Sequence, residues 1–267
     1  MHVYSRIDMT PFTLYIQSAA ACGPAVGEAE SLADLRHIDT LSHHAIIDND
    51  WIPDTSFIPK RTFRRISRLS KMSIYAAHYA IKGFPCDHWG QSIFCSRYGE
   101  MQHTLNVLNS VYEADLVSPM DFSYSVHNTG QGLFSILNGD TRPSTVISAR
   151  YDAIEQALLK AYTQLKSGCE AVLLVYAEDH VPDAFHTLIR SAIEPLAFGL
   201  VVTATPSKSS GIALHIQCEP HASVMSITGD HGNAHARDVL QIITAGDGQC
   251  AVETERLQWT INAEQVG

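Results

Sequence analysis

No two cysteines in this sequence are spaced as C-x-x-C; the six (Cys22, Cys86, Cys95, Cys169, Cys218 and Cys250) are widely scattered. That spacing excludes a redox dithiol motif or a zinc ribbon and is the pattern of reduced thiols in a cytoplasmic protein. Long apolar runs are missing too: none approaches the ~18 residues needed to span a bilayer. The opening M-H-V-Y-S-R-I-D-M lacks the apolar core of a signal peptide. Positive charge is also scarce, with 18 Lys and Arg against 28 Asp and Glu. A net charge of −10 argues against a general nucleic-acid binder. Neither repeats nor low-complexity tracts interrupt the chain, so its 267 residues read as one globular domain, 1–267, with a short helix–strand extension at 220–267.

What is present is organised around Ser118 to Gly168. Phe122, Val126, Leu133, Ile136 and Leu137 give a helix an apolar face, and Gly130 and Gly132 permit close backbone approach. Asn138-Gly139 is a turn signal, and Pro143 opens a β-branched run, Ser144-Thr145-Val146-Ile147-Ser148. From Tyr151 the period becomes helical, with Ile154, Ala157, Leu158, Ala161, Tyr162 and Leu165 on one stripe, and Ser167-Gly168 stops it. A strand feeding straight into a helix is where α/β enzymes mount a nucleophile, because the helix N-terminus stabilises a thiolate or an oxyanion.

The flanks are simpler. Phe12 to Ala21 reads as a strand, Glu28 to Arg36 as a short helix, and Arg61 to Ile81 as a longer one. Trp51 and Ile52 are expected to pin the irregular loop between those helices to the body. The long helix begins with Lys60, Arg61, Arg64, Arg65, Arg68 and Lys71, a basic face with no acid in it. Ser92 to Ser96 is a buried strand, and Gly99 to Tyr112 a helix with Met101, Leu105, Leu108 and Val111 inward. Ala171 to Tyr176 is an all-apolar strand of a two-sided layer. Ala197 to Thr205 and Gly211 to Cys218 look like a hairpin. A helix near Ala236 to Ala245 and a strand from Glu255 to Ile261 close the chain.

The central stretch resembles the thiolase-like β-ketoacyl synthases, in which a Pro-Ser-containing strand leads to an active-site Cys at the start of a long helix. Asn128, Gly130 and Gly132 stand as that family's Asn and glycines do, and Glu178 follows its strand as the family's Glu often does. Carrying over the family spacing places the nucleophile about eight residues after Pro143 and about seventeen before Gly168; both counts land on Tyr151. A phenol, with an ordinary pKa of about 10, is a poor replacement for a thiol of about 8.5. The resemblance thus implies a ketosynthase-like layered α/β/α fold, mainly the N-terminal half, without the reaction. Complete members continue into a second half bearing two catalytic histidine segments. Here H-G-N-A-H-A-R-D holds His231, His235 and Asp238 near a helix start, which reads as a capped helix with surface histidines rather than a catalytic or metal site.

Among such relatives, the segments S-P-M-D-F-S-Y-S-V-H-N and P-S-T-V-I-S-A look like the chain-length factors of Gram-negative aryl polyene pathways. That resemblance implies a non-catalytic subunit, paired with a full-length β-ketoacyl-ACP synthase through the strand Ser144 to Ser148. Met120, Asp121, Phe122 and Asn128 would face the partner's acyl tunnel, with Met120 and Phe122 setting its depth. It also implies an acyl carrier protein, drawn to Arg64, Arg65, Arg68 and Lys71. It calls for no cofactor and no metal. Two alternatives stay open: an acyl-transfer or hydrolytic enzyme using Ser148 or Cys95, and a scaffold without an acyl ligand.

Overall fold

The computed structural model describes residues 10–38, 48, 50–64, 66–84, 89–189, 193–206, 211–221 and 233–266, with the backbone alone of Thr62 and Phe63. In chain order the elements are β1 (Phe12–Gly23), β2 (Gly27–Ala29), α1 (Leu32–Leu35), α2 (Lys60–Phe63), α3 (Arg68–Lys82), β3 (Gln91–Cys95), α4 (Met101–Tyr112), α5 (Pro119–Tyr124), α6 (Thr129–Asn138), β4 (Ser144–Ile147), α7 (Ala153–Lys166), β5 (Ala171–Glu178), β6 (Leu196–Thr203), β7 (Gly211–Pro220), α8 (Ala234–Ala245), β8 (Gly248–Glu253) and β9 (Leu257–Val266). The strands form one mixed sheet in the order β4-β3-β5-β6-β1-β7-β9-β8, with β2 on β1. Among the described residues, the parallel pairs are those of β3, with β4 and with β5.

Side-chain alternation splits the core into two layers. Val172, Leu174 and Tyr176 of β5 meet α1, α7 and α8 on one face of the sheet. Leu173, Val175 and Ala177 meet α3 and α6 on the other. With both faces covered, β5 carries no exposed position, which is why its sequence is apolar throughout. In β1 the alternation reverses: Leu14 and Ile16 face the α7 layer, but so do Ala19 and Ala21. A bulge between Ile16 and Ser18 inserts the extra residue that moves every later side chain to the opposite face. On the α3 side, β6 offers Gly199, where a Cβ would press into the Ala76 carbonyl oxygen. Only glycine lets the helix sit that close.

Several sequence expectations are corrected. The helix expected over Arg61 to Ile81 is two, because Ser67 is extended and its side chain accepts from Ser70 N, capping α3. The short helix expected from Glu28 is the strand β2 followed by α1, capped by Ser31. The helix expected from Phe122 is also two, α5 and α6, and α6 ends at Gly139 in the left-handed region, φ 59°. Gly130 does lie against Ser73, at 3.3 Å for a built Cβ, whereas Gly132 has nothing within 4 Å. No residue of α4 is buried, so its apolar stripe does not face the core. The expected hairpin of β6 and β7 does not form; β1 lies between them and pairs with both. The closing strand is a hairpin, β8–β9, and β9 runs along the full length of β7, within the main sheet. Trp51 packs on the α3 layer as expected, while Ile52 is 47% exposed.

Candidate functional site

The parallel strands β3, β4 and β5 bring their carboxyl ends together, which is where open α/β sheets build sites. Tyr151 lies there, in the turn between β4 and α7, two residues before the first helical residue. Two guanidiniums stand over its ring, that of Arg150 at 4.8 Å from the centroid and that of Arg97 at 5.4 Å. The space beside it, bounded also by Tyr176, Asn233 and His235, is about 20 Å³. That volume holds about one water, against the several hundred Å³ of ordinary ligand pockets.

Buried acids underlie this elbow. Asp152 accepts from Trp259 Nε1 at 2.9 Å and from Gln156 Nε2 at 2.8 Å. Glu155, one turn on, is buried with Oε2 unpartnered, in a crevice shared with His235, Cys250 and Trp259. Burial pushes its pKa up to about 8, with Asp152 and Asp238 adding to the rise. Glu178, at the end of β5, accepts from Arg97 N (2.6 Å), Tyr98 N (3.3 Å) and Ser96 Oγ (3.2 Å). Burial nevertheless raises its pKa to about 7. The same turn is held by His127 Nε2 on the Ser96 carbonyl, 2.8 Å, and by Ser148 Oγ donating to the Arg97 carbonyl, 3.0 Å. Glu178 and His127 thus fix the loop beside the elbow.

His235 was expected on the surface. It is half-buried and lines the spaces against both Tyr151 and Glu155, because Asn233, instead of capping α8, is buried on the backbone of Glu194. The H-x-x-x-H spacing gave no hint of this, since the contact is made across the fold. His231 lies outside the described residues. Neither alternative nucleophile meets a general base in the bonds described: Cys95 is 3% exposed and burial pushes its thiol well up, and Ser148 is committed to the Arg97 carbonyl.

A second feature is a groove of about 560 Å³ between α3, α4 and α5. It brings together Arg64, Arg68 and Lys71 with Met120 and Asp121, two sets that the sequence kept apart. Arg68 is not a surface cation, however. Its guanidinium pairs with Asp179 at 2.6 Å and donates to the carbonyls of Asp48 (2.6 Å) and Trp51 (3.3 Å). Lys71 is buried, and burial lowers its pKa. Of the expected basic patch Arg64 remains exposed, with Lys60 and Arg61 before it; Arg65 lies outside the described residues. Asp121 is also turned inward, onto His103 and Asn106 of α4. Met120 (45%), Phe122 (64%) and Asn128 are exposed.

These exposed residues belong to a larger face. Eight of the eleven exposed large hydrophobic residues, among the described ones, fall between Leu108 and Ile136, on α4, α5, α6 and their links. Next in sequence comes β4, the edge of the sheet, whose Ser144, Thr145, Val146 and Ile147 are only half-covered. Ser148 follows the strand and is exposed.

A layered α/β/α protein with a strand–elbow–helix at the ends of parallel strands is the class defined so far. The family model described as β-ketoacyl synthase, N-terminal domain, matches residues 40–262. The chain belongs to that family. Among solved structures, it is similar to a chain of the ketosynthase (ApeO) in complex with its chain length factor (ApeC) from Xenorhabdus doucetiae, at 22% identity and TM-score 0.73, covering 94% of this chain and 99% of that one. It is similar to a chain of the ishigamide ketosynthase/chain length factor at 12% identity and TM-score 0.74, covering 96% and 100%. A type II polyketide ketosynthase complexed with its acyl-carrier protein, AntDE:AntF, aligns at 18% identity and TM-score 0.57 over 73% of this chain and 64% of that one. No sequence among curated proteins matches it. No helix among the described residues is long and apolar enough to cross a membrane.

Proposed function

We propose that this chain is a non-catalytic chain-length factor, which pairs with a full-length β-ketoacyl-ACP synthase and contributes wall to its acyl tunnel. The carrying observation is the apolar face of α4, α5 and α6 beside the unpaired edge of β4. Isolated soluble chains rarely leave so many large apolar side chains on one run of helices, and a strand edge invites pairing. The occupant is a ketosynthase because the two similar complexes named above pair a ketosynthase with a chain length factor, and both matched chains are of nearly this length. Tyr151, in a space with room for about one water, supports a subunit without its own acyl-enzyme. By the resemblance of S-P-M-D-F-S-Y-S-V-H-N, the pathway is of the aryl polyene type, in the cytoplasm, and the exposed Lys60, Arg61 and Arg64 help to receive an acidic acyl carrier protein.

The test is co-expression with a full-length β-ketoacyl-ACP synthase from the same organism. A stoichiometric complex is expected, burying more than ~2,000 Å² as obligate interfaces do. Charged substitutions at Val111 and Leu116, on the exposed face, should dissolve it. A stable, monodisperse monomer that ignores the ketosynthase would overturn the reading. A complex whose products do not change with Met120→Ala or Phe122→Ala would favour a scaffold instead.

A further inference from the structure

Asp121 lies between the two residues assigned to the tunnel wall, and its side chain turns onto α4. Its Oδ1 accepts from His103 Nδ1 at 2.8 Å and from Asn106 Nδ2 at 3.1 Å. These donors are three residues apart on α4, so they present themselves on one face of that helix. Asp121 N is bonded in turn to Ser118 Oγ, 3.3 Å, and the His103 ring meets Tyr124 edge-on at 5.6 Å. The His103 and Asp121 side chains are 13% and 18% exposed, hence largely shielded from competing water. Meanwhile α5 is only six residues long and buries none of them. A helix of that length does not hold itself in water, and it meets the core through the partly buried Tyr124 at its last residue, leaving its first turn to be held by other contacts.

We infer that the His103–Asp121–Asn106 hydrogen-bond set latches α5 to α4 and thereby fixes where Met120 and Phe122 stand, making Asp121 a positioning residue for product length. The inference rests on the chain-length-factor reading. The bonds from His103 and Asn106 also hold the Asp121 carboxyl below its usual range, so it stays an acceptor at any working pH. Asparagine at this position would keep the Oδ1 acceptor for both donors; alanine would remove it.

The test uses the co-expressed complex and mass spectrometry of carrier-bound products. Asp121→Ala should leave the complex intact by size-exclusion chromatography but broaden the product distribution and move its mean by about one elongation unit. Asp121→Asn should restore the wild-type distribution. His103→Phe, which keeps the ring against Tyr124 and loses the donor, should behave like Asp121→Ala. If Asp121→Ala and His103→Phe both give wild-type lengths while Met120→Ala shifts them, the latch is wrong and the tunnel reading stands. If Asp121→Asn is as disturbed as Asp121→Ala, the acceptor geometry is not what matters and the latch is wrong. Wild-type lengths in all variants, Met120→Ala included, would remove both, and so would the absence of any complex. Should Asp121→Ala fail to assemble, His103→Phe against Asp121→Asn carries the same comparison.

Discussion

Arg68 and Asp179 form an ion pair within the protein, 2.6 Å apart, with their side chains 8% and 17% exposed. Arg68 also reaches the carbonyls of Asp48 and Trp51, so one guanidinium ties the loop before α2 to the end of β5. Removing it would leave Asp179 buried without its cation.

Arg68→Ala should therefore destabilise the protein by about 3–5 kcal/mol, the range for breaking a buried pair from one side. Arg64→Ala, exposed four residues earlier, should stay within about 0.5 kcal/mol. Burial pushes the Asp179 acid up, but bonds from His180 and Arg68 outweigh it and hold the carboxyl below its usual range. Its stabilisation is thus fully present above the unfolded carboxylate pKa of about 3.9 and fades as pH falls through the lower folded value. Urea midpoints at pH 7 and in acid measure both effects. An Arg68→Ala midpoint equal to that of Arg64→Ala would show that the pair contributes nothing.

Glu155 predicts the opposite pH behaviour. Its folded pKa of about 8 lies above that of an exposed carboxyl, so between the two values the folded state binds the extra proton. Stability then declines as pH rises from about 4.3 and levels off above pH 8. Glu155→Gln, neutral at every pH, should remove most of that slope and add roughly 1–3 kcal/mol at pH 8, a discount on the full burial penalty because glutamine still needs a partner. Glu178, raised to about 7, adds a slope of the same sign that the variant keeps, whereas Cys250, pushed up to about 12 by burial, does not titrate in this window. Thermal melts from pH 5 to 9 decide it: parallel curves for wild type and variant would mean that Glu155 is ionised in the folded state.

The fold was legible wherever a single periodicity governed a segment. The all-apolar β5, the stripe of α7 and the stop at Gly168 (φ 99°) are where the pattern placed them. What the pattern missed depends on distant partners. The β6–β7 connection looks like a hairpin locally, and only the insertion of β1 between the strands shows otherwise. Arg68 reads as one of six cations on a solvated face until Asp179, 111 residues away, is folded against it. The elbow at Tyr151 came from spacing, because strand, turn and helix are contiguous. His235 was missed there because α8, though on the same face of the sheet as α7, is far from the elbow in sequence, and Asp121 was misdirected because its donors lie on another helix. The stripe on α4 was read correctly as apolar and wrongly as inward. A stripe that meets a partner subunit has the same period as one that meets the core.

The last prediction concerns Tyr151 itself. If the residue at the elbow only fills space, its ring matters and its hydroxyl does not. The Arg97 and Arg150 guanidiniums both stand over the ring, contacts that phenylalanine can largely keep. Tyr151→Phe should therefore leave the output of the partner complex nearly unchanged. Tyr151→Ala should lower the complex's melting temperature, since it opens a cavity beside Ile154 and Tyr176 and removes the surface on which two cations rest. A thermal melt of the complex tests the Ala variant, and product yield tests the Phe variant. A loss of more than ~100-fold on removing only the hydroxyl is the scale of a lost general acid or base. That result would make Tyr151 catalytic and this subunit an enzyme.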